Sequence, residues 1–170
     1  MLSDNRTEIF LKTEDGFRNR KGGTKRLALY AQEDGYLMRE ATTGISRLYD
    51  RDGKILQEID HNGNRRLYQY TGCTLRRISF ASGQYLDFTW QGSHITSIQD
   101  CIGRKVHYRY ENSLLTEVET VTGGVERYTY DQDGRITNVT NADGVTYVHN
   151  EYDQKGQSLL LYFHFCHNGN

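Results

Sequence analysis

Glycine returns along this chain at a near-constant interval. Gly63, Gly83, Gly103, Gly123 or Gly124, and Gly144 stand about 20 residues apart, and a period of that size dictates a repeat architecture before any single residue is considered. Five to seven residues after each of the first four comes an aromatic pair with one residue between: Tyr68 and Tyr70, Phe88 and Trp90, Tyr108 and Tyr110, Tyr128 and Tyr130. A second turn position follows at Gly72, Gly92, Asn112 and Gly134. Two aliphatic slots three apart close each unit: Leu75 and Ile78, Ile95 and Ile98, Leu115 and Val118, Ile136 and Val139.

The pattern runs on in both directions with more wear. Tyr49-Asp50 opens a unit containing Gly53, Ile55 and Ile59, and Gly35, Leu37, Gly44 and Leu48 form an earlier one. Gly16, Gly22-Gly23 and Tyr30 are read as a degenerate first copy. Beyond them, Tyr147, Tyr152 and Gly156 begin a last unit that the final stretch, SLLLYFHFCHNGN, does not complete. The division expected is a degenerate repeat or cap over 1–34, an array over 35–157 and a divergent tail over 158–170.

One unit is two strands and two turns. A Tyr-x-Tyr spacing puts both rings on one face of a strand, because side chains alternate with period two. Asn62-Gly63, Ser82-Gly83 and Asp143-Gly144 supply the positive φ that tight hairpin turns require. Asp131 and Asp133, beside Gly134, can bond back to nearby backbone N–H groups. Aliphatic slots three apart break strict alternation, so either a bulge or burial on both faces is required. A lone hairpin is not stable. The expectation is therefore an all-β array of about six hairpins side by side in an antiparallel strip, with the aromatic slots in a row along it. Only 36% of residues are apolar, yet 13 are Tyr, so phenol rings must do the packing that Leu and Ile do elsewhere.

Composition narrows the function classes. Lys+Arg at 21 against Asp+Glu at 22 leaves a charge of −1, which gives no electrostatic reason for a nucleic-acid or anionic-membrane partner. The apolar run Leu159–Phe165 is too short to span a bilayer. The first residues, MLSDNRTEIF, have no apolar segment of signal-peptide type. The default is a cytoplasmic location, or export within a longer protein. Three cysteines, Cys73, Cys101 and Cys166, form neither a disulfide framework nor a zinc spacing.

Tyr-Asp-x-x-Gly-Arg-Ile at Tyr130–Ile136, followed by Asn-x-x-Gly-Val-Thr-Tyr at Asn141–Tyr147, resembles the YD repeat of Rhs proteins. The likeness covers roughly Gly35–Gln157, and Tyr-Asp recurs at Tyr152-Asp153. Rhs proteins, the C component of insecticidal toxin complexes and the teneurins share such repeats. The resemblance implies a curved strip that belongs to a spiral shell. In bacterial members such a shell encloses a C-terminal toxin and is closed by a self-cleaving DPxG junction. Carbohydrate binding is a further property that the resemblance implies. There is no proline here, so the DPxG junction is absent. The chain is also too short to close a shell, and the 13 residues after Gln157 are too few for a toxin domain.

No residue pattern points to catalysis. His61, His94, His107 and His149 each lack a partner at a metal or triad spacing, and His107 falls where sister units have Leu67 and Arg127. His164, Cys166 and His167 are the one local cluster of ligand types, without a fourth ligand. Asp50, Asp52, Asp60, Asp131, Asp133, Asp143 and Asp153 sit at turns, as solvated caps rather than a glycosidase pair. Asp131–Gly134 begins like a calcium loop, but the twelfth position is Ala142. Arg65-Arg66, Arg76-Arg77 and Arg104-Lys105 read as a solvated strand face. The sequence thus predicts a structural segment with no catalytic residue, cofactor or metal. Its expected partners are neighbouring repeats or a second copy at the sheet edges, an enclosed toxin, and carbohydrate as the alternative.

Overall fold

A computed structural model describes residues 9–14, 16–20 and 27–163, and for 160–163 the backbone alone. Gly22-Gly23, His164, Cys166 and His167 lie outside the described residues. Sixteen strands occur among the described residues: β1 (Phe10–Thr13), β2 (Gly16–Asn19), β3 (Leu27–Gln32), β4 (Gly35–Glu40), β5 (Ser46–Asp50), β6 (Ile55–Ile59), β7 (Arg65–Thr71), β8 (Thr74–Phe80), β9 (Tyr85–Gln91), β10 (His94–Asp100), β11 (Lys105–Glu111), β12 (Leu114–Glu119), β13 (Val125–Tyr130), β14 (Ile136–Thr140), β15 (Thr146–Tyr152) and β16 (Ser158–Phe163). β1 and β2 make a sheet of their own, while β3 to β16 follow one another in strict chain order in a fourteen-stranded sheet. The chain divides into two compact units between Leu86 and Asp87. In the first, Phe17 of β2 meets Tyr36 of β4 edge to face, with ring centroids 5.8 Å apart.

The aliphatic spacing of three resolves as a bulge. In the first unit Tyr68 faces Ile78 and Tyr70 faces Leu75, with a register shift between Gln69 and Tyr70. In the second, Tyr108 faces Val118 and Tyr110 faces Leu115, and Tyr128 faces Val139 while Tyr130 faces Ile136, each pair again straddling a shift. One extra residue in β8, β12 and β14 thus lets slots three apart meet rings two apart on a single face. Tyr49 against Ile55 and Tyr152 against Ser158 sit at the same kind of shift. Cross-strand pairs of an aromatic and an aliphatic side chain each contribute roughly 0.2–1 kcal/mol.

The turns are of two kinds. Gly72-Cys73 joins β7 to β8 as a two-residue loop, with Gly72 at φ 58°, the first-position glycine of a type II′ turn. Asn112-Ser113 fills the equivalent loop with both residues at positive φ, as a type I′ turn requires. Gly134 belongs with neither, although its place in the repeat groups it with Gly72. Its N–H donates to Asp131 O, and Asp131 N–H donates to Arg135 O. That is a three-residue loop ended by a left-handed glycine at φ 76°. Asp60 to Asn64 and Asn141 to Val145 close in the same way, and of Gly123 and Gly124 it is Gly123 that takes the positive φ.

The recurrent aspartate now has a reason. At Asp50, Asp60, Asp100, Asp131 and Asp153, carboxylate Oδ1 accepts the backbone N–H groups two and four residues on. Asn141 does the same with its amide oxygen. Asp133 instead takes Arg135 Nη2 at 2.7 Å. A bond from the Asn64 side chain holds the Asp60 carboxyl below its ordinary value, and the Arg135 backbone N–H does so for Asp131. A lowered carboxyl pKa adds stability above about pH 4, which is lost as pH falls through the depressed value. Asp131→Asn, which keeps the loop acceptor as Asn141 does, is expected to flatten the acid limb of stability between about pH 5 and 2. Asp131→Ala is expected to lower stability at neutral pH as well. Thermal melts across that range check both, and an unchanged acid limb in Asp131→Asn contradicts the assignment.

Candidate functional surface

The long sheet has two faces, and they differ in character. One face carries the rings and aliphatics. In each unit Tyr68 and Tyr70, Phe88 and Trp90, Tyr108 and Tyr110, and Tyr128 and Tyr130 are half-buried, while the residue between each pair, Gln69, Thr89, Arg109 or Thr129, is exposed. The rings do not make a closed core. Among the described residues Val139, at 8% exposure, is the one buried hydrophobic side chain, and none is fully buried. The strip replaces a leucine core only halfway: Phe17 of β2 lies against Tyr36 in the first unit, and the paired rings keep part of their surface exposed.

The opposite face of the second unit is polar. Arg109 Nη1 and Arg127 Nε donate to the two oxygens of Glu117 at 2.6 and 3.2 Å, so a carboxylate on β12 ties β11 to β13. These bonds, the Arg109 side-chain bond foremost, hold the Glu117 carboxyl below its ordinary value. In the first unit Arg47 and Arg66 flank Glu58 in the same manner, at 2.6 and 2.8 Å, but on the ring-bearing face, since Arg66 is two residues before Tyr68. Partly exposed pairs of this kind add little stability and fix strand register instead. The Arg of Tyr-Asp-x-x-Gly-Arg is also placed. Arg135 Nε donates to Asp131 Oδ2 at 2.7 Å, and its guanidinium lies over the Tyr152 ring, 5.0 Å from the centroid.

Glu126 breaks the apolar run on the ring face. Register opposite Val118 places it beside Tyr128, whose hydroxyl donates to Oε2 at 2.5 Å, while Tyr147 donates to Oε1. Burial and then the Glu126 bond push the Tyr128 phenol well up, and the Glu126 bond and then burial push Tyr147 to about 12. A raised phenol pKa gives stability that is complete below the unfolded value, near pH 10, and lost as pH rises through the folded one. Stability is therefore expected to fall between about pH 10 and 12. Glu126→Gln is expected to bring the upper tyrosine titration down toward the ordinary value, measured by ultraviolet phenolate absorbance, and an unmoved titration contradicts the assignment.

An open groove of about 930 Å³ runs over β10 to β13, and the Arg109–Glu117–Arg127 ladder of the polar face is part of its lining. His94 lies against Tyr110, with centroids 4.6 Å apart. His107 is exposed, and His61 occupies a loop. His149 Nδ1 is 2.7 Å from Asn138 Oδ1. No group of three His, Cys, Asp or Glu able to hold a metal occurs among the described residues. Cys73 and Cys101 are free. No helix among the described residues is long and apolar enough to cross a membrane.

The remaining repeat positions fall into the same scheme. Tyr49, Tyr130 and Tyr152 each stand before the capping aspartate of a three-residue loop, and Gly53, Gly63, Gly83, Gly103, Gly123, Gly134, Gly144 and Gly156 end such loops. Tyr147 is the extra residue between Thr146 and Val148 where β15 shifts against β14. Comparison with protein families decides what this scheme is: the profile described as Teneurin YD-shell matches residues 35–168. The chain belongs to the YD-shell family. None of the curated proteins compared with it matches. As a YD-shell chain it is a structural shell segment, all-β and built of successive hairpins. The charge ladders were not legible as pairs in the sequence. Their members are 8 to 11 residues apart, and only the strand register brings them together.

Proposed function

We propose that this YD-shell chain is a non-catalytic wall segment of a larger repeat shell that encloses a toxin carried by the same polypeptide system. One observation carries the reading: the chain builds a sheet of fourteen strands and leaves its ring-bearing face half exposed. A sheet with one hydrophobic face is stable in water when something covers that face. Covering surface comes from neighbouring repeats or a second copy, joined at sheet edges that present unpaired backbone groups, and from the enclosed cargo.

Sedimentation velocity over a concentration series tests the wall reading. Reversible or irreversible association is expected, and a clean monomer at high concentration contradicts it. A saturable substrate in a broad hydrolase screen contradicts the non-catalytic part. The second reading is a carbohydrate-binding module, favoured by the rings of Phe88, Trp90, Tyr108, Tyr110, Tyr128 and Tyr130, which stay half exposed on their strands. Glycan-array binding that Tyr110→Ala and Trp90→Ala abolish supports this second reading, and no binding by the parent chain removes it.

A further inference from the structure

The ladders between successive hairpins are short. β12 and β13 pair only over Glu117↔Arg127, Val118↔Glu126 and Glu119↔Val125. β14 and β15 pair only from Asn138↔His149 to Thr140↔Thr146. Beyond each ladder the strands part, and backbone groups on the parting edges need other partners. Two residues past the end of the first ladder, Leu115 O accepts the Tyr130 hydroxyl at 2.6 Å. Two residues past the end of the second, Ile136 O accepts the Tyr152 hydroxyl at 2.8 Å and Asn150 Nδ2 at 3.0 Å. Leu115 and Ile136 are both the residues just before the bulge in their strands. The same geometry thus arises twice, with the tyrosine of Tyr-Asp or its counterpart reaching back across the seam.

We infer that this tyrosine is a latch: its hydroxyl closes the seam between one hairpin and the next by taking the carbonyl that the ladder leaves behind. The seam between β10 and β11 has no such latch. Its ladder ends at Ser97↔His107, so the matching pair is Ile95 and Tyr110. No hydrogen bond joins those two among the described residues, and the Tyr110 ring lies against His94 instead. This open seam forms part of the groove. The β10–β11 seam is the place where this unit opens first, and the latched seams on its C-terminal side hold. At Tyr130 and Tyr152 the device gives tyrosine a use that phenylalanine lacks: packing needs the ring, and the seam needs the hydroxyl.

Residue-resolved amide hydrogen exchange on the full chain tests the latch. In the parent, amides of Tyr108–Tyr110 are expected to exchange faster than those of Tyr128–Tyr130. Tyr130→Phe, which keeps the ring, is expected to speed exchange at the β12–β13 seam about tenfold, the effect of losing one hydrogen bond that satisfies a carbonyl. Tyr152→Phe is expected to act likewise at β14–β15, with Asn150 sharing the load and the effect smaller. Tyr110→Phe is expected to change nothing at β10–β11. If Tyr130→Phe leaves its seam unchanged, or if Tyr110→Phe loosens its own seam as much, the latch is overturned. Should Tyr130→Phe unfold the chain, the Tyr152→Phe result at the other seam decides.

Discussion

Gly35→Ala is expected to cost about 3 kcal/mol or more and to abolish the folded first unit at moderate temperature. Gly35 opens β4 at φ +155°, and a Cβ there would lie 1.9 Å from Tyr49 O and 2.9 Å from the Asp50 backbone. Those atoms belong to the paired strand, opposite which Gly35 faces Asp50. No side chain can rotate away, so the β4–β5 ladder must part. Gly53→Ala is the control: its φ is +84°, but open space surrounds its Cβ position. The strain alone is expected to cost about 1 kcal/mol. Thermal or urea melts of both variants measure the contrast. A Gly35→Ala melt equal to that of Gly53→Ala would mean that the strands do not approach as closely as described.

Val139→Asp is the second large effect. Val139 is the most buried apolar side chain among the described residues, opposite Tyr128 on one side and Val148 on the other. A carboxylate there meets rings and aliphatics, and about 3 kcal/mol or more of destabilisation is expected. Val121, in the loop between β12 and β13, is 53% exposed. Val121→Asp is expected to stay within about 0.5 kcal/mol of the parent. The pair of substitutions separates a chain with an ordered ring face from one in which all valines are equally solvated; equal costs contradict the former.

Much of this fold was written in the period of the chain, because a hairpin that recurs imposes the same turn and the same slots on every copy. Tyr68 and Tyr70, or Tyr108 and Tyr110, could be placed on one face from alternation alone. The spacing of Leu75 and Ile78 was ambiguous, since a bulge and two-sided burial produce the same pattern, and only pairing with Tyr70 and Tyr68 separates them. The loop around Gly134 could not be told from that around Gly72, because both need a glycine of positive φ. What differs is the aspartate that caps the longer loop. The phenol-to-carbonyl bonds of Tyr130 and Tyr152 were invisible, being fixed by where a ladder ends. The half-open ring face was hidden for a different reason: tyrosine content measures how much aromatic surface a chain carries and says nothing of whether a second layer covers it.

Rings two apart meet aliphatics three apart through one extra residue, copy after copy, and the wall depends on that match. Cross-strand nuclear Overhauser effects in the folded chain test it most directly. Contacts from Tyr108 to Val118 and Tyr110 to Leu115, and from Tyr128 to Val139 and Tyr130 to Ile136, are expected together, with Thr116 and Thr137 left out of the pairing. Contacts in an unshifted register, with Tyr110 opposite Thr116 and Tyr130 opposite Thr137, would contradict it.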